Sequence, residues 1–121
     1  MNFFANWMKN PQTTTKKQIT KYDIKWYDKK EDWLLIVVSF AKEYGLLLDE
    51  MDDNDLFYHT FLRLLQGLSP ETPLGYIVTI RSEEDIKIRK KFTDDEKKIW
   101  LEWQKRVPIE YKQQKLNQFN L

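Results

Sequence analysis

Apolar residues recur at helical spacing over residues 33–44, and this pattern constrains the fold more than any other stretch of the chain. The positions that share one helix face are Trp33, Ile36, Val37, Phe40, Ala41 and Tyr44. Leu34 and Val38 widen this stripe, which predicts a helix at the centre of the core. Asp28 and Glu31 have the spacing of a capping box, and Gly45 can adopt the left-handed C-cap conformation. The sequence therefore predicts a first helix from Asp28 to Gly45.

A second helix is predicted between an acidic segment and Gly67. Asp52, Asp53 or Asp55 can cap its start and favour the positive end of its dipole. Its apolar face comprises Leu56, Phe57, Phe61, Leu64, Leu65 and Leu68. Gly67 is predicted to end it, because glycine is the usual residue just beyond a helix.

Residues 64–85 hold two of the three glycines and two of the four prolines. Thr72 and Pro73 have the signature of an N-cap followed by the first helical residue, so a third helix is predicted to start there. Residues 76–80 also have strand propensity, but the apolar spacing after Pro73 favours a helix. Gly75 would let another helix approach closely. We interpret this stretch as a joint between helix ends rather than as a loop that binds a ligand.

Two more capping signals predict the remaining helices. Ser82 with Asp85 is predicted to cap a short fourth helix. Thr93 and Glu96 have the spacing of a second capping box, which predicts the start of a fifth helix. The apolar face of the fifth helix comprises Ile99, Trp100 and Trp103. Pro108 is predicted to end it, because the residue before a proline disfavours helical backbone.

These five segments predict an all-α fold, a compact bundle of about five helices, over residues 28–107. Residues 1–27 are predicted to form an N-terminal arm with an aromatic segment and a polar linker. Residues 108–121 are predicted to form a polar C-terminal tail that frays. A chain of 121 residues is long enough for one domain with a sizeable core.

Charge and composition exclude several classes of function. The chain has 20 basic and 19 acidic residues, so its formal charge of +1 gives no general attraction to nucleic acid or to an anionic membrane. The basic residues at 87–91 are interpreted as the complement of a helix dipole rather than as a nucleic-acid patch. There is no cysteine, which excludes disulfides and thiolate metal sites. The longest apolar run, residues 33–38, is too short to span a bilayer, and we expect a soluble intracellular protein.

No arrangement of residues predicts catalysis or a cofactor. His59 is the only histidine, and a packed or surface role is expected rather than a metal ligand. The acidic run at 49–55 fails the calcium-loop pattern, because Asn54 stands where glycine is needed and Thr60 where a bidentate glutamate is needed. Ser39 has no histidine at motif spacing, and we expect it to bond back to its own helix. We therefore predict no enzyme activity, no cofactor and no metal.

Aromatic residues provide the candidate partner contacts. They make up 15% of the chain, which is a high load for a small core. We predict partner binding by Phe57, Phe61, Trp100 and Trp103, with Phe3, Phe4 and Trp7 as an additional arm. For Trp100 and Trp103, and for the N-terminal residues Phe3, Phe4 and Trp7, the alternative is a place in the core.

Four blocks of the chain together resemble the bacteriophage gene-product-fifteen family. They are VVSFAKEYGLLL at 37–48, FYHTFLRLLQGL at 57–68, TPLGYIVTIRSEED at 72–85 and FTDDEKKIWLEW at 92–103. The third block is the most specific of the four. The resemblance covers about residues 31–106, and residues 1–25 have no recognised counterpart in it.

The resemblance implies a mostly helical protein encoded in the tail module of long-tailed phages and prophages of Gram-positive bacteria. Members typically lie between the tail-tube gene and the tape-measure gene, where tail assembly chaperones are encoded, often as a pair joined by a ribosomal frameshift. Such chaperones bind the tape-measure protein, keep it soluble and help tube subunits polymerise around it. They are not retained in the finished tail. No functional residues transfer, because the family has no defined site.

We therefore hypothesise a tail assembly chaperone of the host cytoplasm that binds exposed apolar helix on the tape-measure protein. The tail-tube protein, a companion chaperone and a second copy of the chain are further candidate partners, whereas nucleic acid and membranes are not expected. One alternative is a structural virion component, such as a tail-completion or head–tail joining protein. Another is a nucleic-acid-binding regulator in which TPLGYIVTIR belongs to a helix-turn-helix.

Overall fold

α-Helices form most of the chain that the structure describes. The structure is a computed structural model, and it describes residues 18–52 and 55–119. Within these ranges there are six α-helices and no strand, which confirms the predicted all-α fold. The helices are α1 (Trp33–Tyr44), α2 (Tyr58–Gln66), α3 (Pro73–Arg81), α4 (Ile86–Arg89), α5 (Asp94–Gln104) and α6 (Ile109–Phe119). None of these described helices is both long and apolar enough to cross a membrane.

Residues 25–107 form one compact unit, and it contains α1 to α5. Within it, α3 lies against both α1 and α5, and α1 also contacts α2. The buried core cluster comprises Ile36, Phe40, Phe61, Leu65 and Leu74. These residues come from α1, α2 and α3, so the predicted central role of the first helix is confirmed.

Aromatic contacts join α2 to α1. The Phe40 ring stacks on that of Phe61 with centroids 5.3 Å apart, and it meets the edge of Tyr44 at 5.5 Å. The Tyr44 hydroxyl donates a hydrogen bond of 2.6 Å to the carbonyl of Leu64. Since Leu64 lies in the last turn of α2, this bond satisfies a carbonyl near the end of that helix.

Two hydroxyl groups satisfy amides at the start of α3. Thr72 is the N-cap, and its Oγ1 accepts a hydrogen bond from the amide of Gly75 at 3.1 Å, as the Thr72–Pro73 signature predicts. Ser39 Oγ, on α1, accepts a hydrogen bond from the amide of Leu74 at 2.9 Å. The prediction that Ser39 serves only its own helix was therefore wrong, because its hydroxyl binds the amide of a neighbouring helix.

Gly75 lies against the loop that precedes its own helix, a contact that the sequence did not predict. The predicted close approach of another helix at Gly75 stays a prediction. A Cβ atom on Gly75 would lie 1.9 Å from the carbonyl oxygen of Ser69. The hydroxyl of Thr72 donates to that same carbonyl at 2.7 Å. The loop is thus folded tightly onto the first turn of α3, and only glycine leaves room for it.

The α1 helix begins at Trp33, five residues later than the sequence predicted. Asp28 Oδ1 does accept hydrogen bonds from the amides of Lys30 and Glu31, but these bonds form a turn before the helix. The reciprocal bond comes from Asp32, whose Oδ2 accepts from the amide of Asp28 at 2.8 Å. Asp32 thus takes the role predicted for Glu31, and both carboxylates are ion-paired to arginines far away in the sequence, Asp32 to Arg81 and Glu31 to Arg106.

The α2 helix begins at Tyr58 and lacks the predicted aspartate cap. Its N-cap is Phe57, which makes no capping hydrogen bond with its side chain. Asp55 instead accepts a hydrogen bond of 2.6 Å from the amide of Asp52 and closes the preceding turn. Asp53 lies outside the described residues.

Several predicted helix ends are confirmed. Gly45 caps α1 with a φ of 67°, which is the left-handed conformation that glycine favours. Thr93 and Glu96 form the predicted capping box at the start of α5. Asp85 caps α4 through the amide of Lys87, but Ser82 does not contribute, because its hydroxyl donates to the carbonyl of Val78 at the end of α3.

The second unit consists of residues 1–24 and 108–121. Its described part contains α6, where a frayed tail had been predicted, and a short 3₁₀ helix at Lys21–Asp23. The side-chain amide of Gln114 accepts a hydrogen bond from the amide of Ile19 and donates one of 2.8 Å to the carbonyl of Ile19. These two hydrogen bonds to the backbone of Ile19 are one reason that the tail is helical although its sequence is polar.

Candidate functional site

An open groove lies between α4 and α5, with a volume of about 350 Å³. Four apolar side chains and three cationic side chains line it: Ile86, Phe92, Trp100, Leu101, Arg89, Lys90 and Lys97. We call this the α4–α5 groove. Ile86 is 58% exposed and Leu101 is 59% exposed, so much of its apolar surface is in contact with water. Burial of such a surface against a partner is favourable, with a free energy of roughly 25 cal/mol per Å² of apolar area removed from water.

Two capped helices and a short turn set the shape of the groove. The Asp85 carboxylate accepts a hydrogen bond from the amide of Lys87 at 2.9 Å and starts α4. The Thr93–Glu96 capping box starts α5 only a few residues after α4 ends. Between them, the amide of Phe92 donates to the carbonyl of Arg89 at 3.1 Å. This tight turn is why residues from both helices line one groove.

Trp100 is held in place at the groove by two interactions. Its indole Nε1 donates a hydrogen bond of 3.0 Å to the carbonyl of Glu83, before α4. The guanidinium carbon of Arg89 lies 4.3 Å from the centroid of its ring, a cation–π contact. An aromatic side chain fixed at its edge and over its face loses little conformational entropy when a partner packs on it.

The charge along the groove is of one sign. Its three charged lining residues are Arg89, Lys90 and Lys97, and none of them forms an ion pair within the part of the chain that the structure describes. The Nε atom of Arg89 is buried and has no hydrogen-bond partner among the described residues. The groove therefore presents positive charge beside apolar surface, and none of its lining residues is a carboxylate.

The capping carboxylate at the start of α5, that of Glu96, makes a contact with another helix. Its Oε2 accepts a hydrogen bond of 2.8 Å from the hydroxyl of Tyr76 on α3, and its Oε1 accepts from the amide of Thr93. The hydrogen bond from the Thr93 amide, followed by that from Tyr76, lowers the pKa of Glu96 below its ordinary value. The same bond raises the pKa of Tyr76. Glu96 thus remains charged and joins α5 to α3.

The aromatic residues predicted as partner anchors occupy different environments. Trp100 lies in the α4–α5 groove, and Phe57, at the start of α2, is 80% exposed. Phe61 is only 8% exposed and stacks on Phe40 in the core. Trp103 is 5% exposed, and its indole Nε1 donates to the carbonyl of Lys25. Phe61 and Trp103 therefore have little surface to offer a partner in this conformation.

The N-terminal anchors predicted from the sequence, Phe3, Phe4 and Trp7, lie outside the described residues. Their role as an arm stays a prediction.

Sequence reasoning missed three apolar residues of the groove, Ile86, Phe92 and Leu101. Ile86 stands within a charged segment, and Leu101 stands off the predicted apolar face of α5. Both are the kind of isolated apolar residue that helical periodicity does not assign to a core. Their position outside the predicted apolar faces could have indicated exposed apolar residues. Only the turn at Phe92 shows that they line one groove.

A second exposed apolar surface lies on α1. Leu34 is 73% exposed, and Trp33 and Val38 are each close to half exposed. Leu34 and Val38 are four residues apart, so they lie on the same side of the helix. We call the surface formed by Trp33, Leu34 and Val38 the α1 face.

Within residues 18–52 and 55–119, no group of three or more His, Asp or Glu side chains is placed to hold a metal ion. His59 is exposed beside the ring of Tyr58. Ser39 is fully buried and hydrogen-bonded to α3.

Comparison with known proteins gives one match. A family model described as Bacteriophage Gp15 protein matches residues 4–108. The match extends well beyond the span of about 31–106 expected from the sequence blocks, so the expectation that residues 1–25 have no counterpart was wrong for residues 4–25. No curated protein and no solved structure matches the chain.

Proposed function

The chain belongs to the bacteriophage Gp15 protein family, and we propose that it is a tail assembly chaperone that binds the tape-measure protein during tail morphogenesis. Membership of the family makes it a phage structural or morphogenesis protein. The proposal adds the step of assembly, the partner and the surface that binds it.

The α4–α5 groove is the observation that carries this proposal. A tape-measure protein is long and helical, and before the tube surrounds it, its apolar stripes are in contact with water. A protein that keeps such a helix soluble needs an exposed apolar groove that covers the stripe, and it needs charged residues around that groove. The groove supplies both, with Trp100 and Leu101 as apolar contacts and three cations beside them.

The binding expected of such a groove is moderate in strength. Its volume of about 350 Å³ takes a few side chains of a partner helix rather than a whole protein surface. Interfaces of this limited size are typical of transient complexes. Transient binding is what a chaperone requires, because the tail-tube protein must replace it on the tape-measure helix.

Further parts of the proposal follow from the same role. The chain acts in the host cytoplasm, where tails assemble, and it has no enzymatic activity. The tail-tube protein, a companion chaperone and a second copy of the chain are secondary partners. The α1 face is the surface that we assign to such a secondary contact, since Leu34 and Val38 are exposed there.

A structural role in the virion is the second candidate, because the family is equally consistent with a structural protein. A tail-completion or head–tail joining protein would remain in the particle, whereas a chaperone leaves it. Mass spectrometry of purified virions separates the two. Absence of the chain supports the chaperone, and a fixed copy number per particle supports the structural protein.

Co-expression tests the chaperone proposal. A tape-measure segment that precipitates when expressed alone is produced together with the wild-type chain, and the soluble fraction of the segment is measured. We expect the wild-type chain to make the segment soluble and to co-purify with it. A segment that precipitates equally with and without the chain would contradict the proposal.

Two matched variants show which surface is responsible. Leu101→Asp places a charge on the groove, and Leu34→Asp places one on the α1 face; both positions are more than half exposed, so neither variant should unfold the protein. We expect Leu101→Asp to abolish co-purification and Leu34→Asp to leave it intact. The reverse result would assign the tape-measure contact to the α1 face.

A further inference from the structure

We propose that the α4–α5 groove selects an acidic amphipathic helix: a helix whose apolar stripe is flanked by Asp or Glu. This inference rests on the proposed function for the identity of the natural partner, but the preference itself concerns the groove alone. It implies that the segment of the tape-measure protein that binds here carries carboxylates beside its apolar residues.

The charges at the groove give the sign of the partner. All three charged lining residues are cations, and Lys90 and Lys97 are exposed side chains without an ion-pair partner among the described residues. Arg89 is fixed over Trp100, so its charge is held beside the apolar floor. A partner with carboxylates at this position forms charge-assisted contacts, whereas a basic partner is repelled.

The lack of an ion pair at Arg89 strengthens this argument. Arg89 forms no salt bridge with any carboxylate in the described part of the chain. By contrast, Arg81 in the same unit is bound to Asp32 by two hydrogen bonds. An arginine that is fixed in place but not neutralised is a ready site for a carboxylate from outside.

The floor of the groove gives the shape of the partner. Ile86 and Leu101 are exposed on the two helices that flank it, and Trp100 lines it from α5. An amphipathic helix presents apolar side chains three or four residues apart, about 5–6 Å between Cβ atoms, which suits contact with both helices at once. Its carboxylates, one helical turn away on the flanks, would then face Lys90 and Lys97.

Nucleic acid is a poorer match for the same groove. A nucleic-acid strand carries phosphates along its whole length, and it needs a continuous basic track. Here Asp94 and Asp95 stand in the first turn of α5, directly before Lys97. The whole chain carries a formal charge of only +1. A short cationic region bordered by acids fits a local carboxylate better than a run of phosphates.

The probes are synthetic helical peptides of one apolar pattern. One peptide has Leu at helical spacing with Glu on both flanks, a second has Gln in place of each Glu, and a third has Lys in place of each Glu. Binding of each labelled peptide to the full chain is measured by fluorescence anisotropy. A 20-nucleotide single-stranded oligo-dT is measured in the same way.

The groove variant combines Lys90→Glu with Lys97→Glu. Its matched control combines Lys91→Glu with Lys98→Glu, which changes the charge equally at two neighbouring exposed lysines that do not line the groove. We expect the wild type to bind the acidic peptide about fivefold more tightly than the neutral one, which lies within the range expected for two exposed charge contacts. The groove variant should lose this preference and bind the basic peptide best. The control should keep the preference of the wild type.

Several results would overturn the inference. Equal binding of the acidic and neutral peptides would show that the cations do not select the partner. Equal effects of the groove variant and its control would show that only the net charge matters. Oligo-dT that binds more tightly than the acidic peptide and is lost in the groove variant would assign the groove to nucleic acid.

Failure of this inference and failure of the proposed function are distinguishable. If the acidic and neutral peptides bind equally but the tape-measure segment still co-purifies with the wild-type chain, the acidic preference is wrong while the chaperone role stands. If the acidic peptide binds in the groove but the tape-measure segment stays insoluble, the preference stands and the proposed partner is wrong.

Discussion

The Arg81 guanidinium binds the Asp32 carboxylate through two parallel hydrogen bonds, of 2.8 Å from Nη1 and 3.1 Å from Nη2. Both side chains are largely buried, at 13% and 6% exposure. Arg81 also donates to the carbonyl of Trp26 at 3.1 Å, and its guanidinium carbon lies 3.9 Å from the centroid of the Trp103 ring. One ion pair thus connects the end of α3, the turn before α1 and the buried face of α5.

Replacing Asp32 should strongly destabilise the protein. Asp32→Ala leaves the Arg81 charge buried and unpaired, and we expect a loss of about 3–5 kcal/mol in the free energy of unfolding. Urea denaturation measures this loss. Glu31→Ala is the control, because Glu31 pairs with Arg106 at the surface and should cost much less. Equal losses in the two variants would contradict the assigned role of the buried pair.

Ser39→Ala tests the contact between α1 and α3. It removes the acceptor for the amide of Leu74, and an amide left buried without a partner costs about 1–3 kcal/mol. Ser82→Ala is the matched control, because the carbonyl of Val78 keeps its hydrogen bond from the Ser82 amide when the hydroxyl is removed. Thermal or urea unfolding should therefore show a clear loss for Ser39→Ala and a small one for Ser82→Ala. A larger loss for Ser82→Ala would refute this account of the start of α3.

Gly75→Ala should destabilise the protein although alanine is the better helix former by about 0.8–1.0 kcal/mol. The added Cβ would overlap the backbone carbonyl of Ser69, so the loop or the helix must move, and we expect a loss of about 3 kcal/mol or more. Gly67→Ala provides the comparison, because its Cβ would lie 3.0 Å from the hydroxyl of Tyr44 and no nearer than 3.4 Å to a backbone oxygen. Denaturation curves that show Gly75→Ala at wild-type stability would mean that the loop does not pack on α3 as described.

The Glu96 carboxylate should make the stability depend on pH in the acid range. Its pKa is lowered from the ordinary value of 4.5 by the hydrogen bonds from the Thr93 amide and from Tyr76. Because the folded pKa lies below the unfolded one, the contribution of Glu96 is complete above pH 4.5 and is lost as the pH falls through the folded pKa. Urea unfolding at several pH values should show this loss in the wild type.

Two variants isolate that contribution. Glu96→Gln keeps an oxygen acceptor but cannot titrate, so its stability difference from the wild type should be largest at neutral pH and shrink below pH 4.5. Tyr76→Phe removes one of the two hydrogen bonds and should reduce the effect only in part. An unchanged difference across the whole pH range would show that Glu96 is not the titrating group.

Local signals predicted the helices better than they predicted the contacts between them. Gly45, Thr72, Asp85 and the Thr93–Glu96 pair act within a few residues of themselves, and the structure confirms each of them. The start of α1 was misplaced because Asp32, which completes the turn with Asp28, owes its position partly to an arginine 49 residues away. Spacing within a segment carries no information about such a pair.

At the candidate site, too, local signals were informative and contacts between helices were not predictable. Aromatic content alone led to Trp100, but it also led to Phe61 and Trp103, which are buried. Periodicity places a residue on a helix face, yet whether that face is covered depends on the neighbouring helices. The α4–α5 groove arises from a turn at Phe92 that brings two short helices together. Two of its three cations, Arg89 and Lys90, belong to the residues first interpreted as the complement of a helix dipole.

The most direct test of the account is the mass of the complex formed with a tape-measure segment from the same phage, measured by light scattering after size exclusion. The wild-type chain, co-expressed with a segment that precipitates alone, should give a soluble complex of defined stoichiometry, and Leu101→Asp should give the free chain only. A wild-type chain that elutes alone while the segment remains insoluble would contradict the account and favour a structural place in the virion.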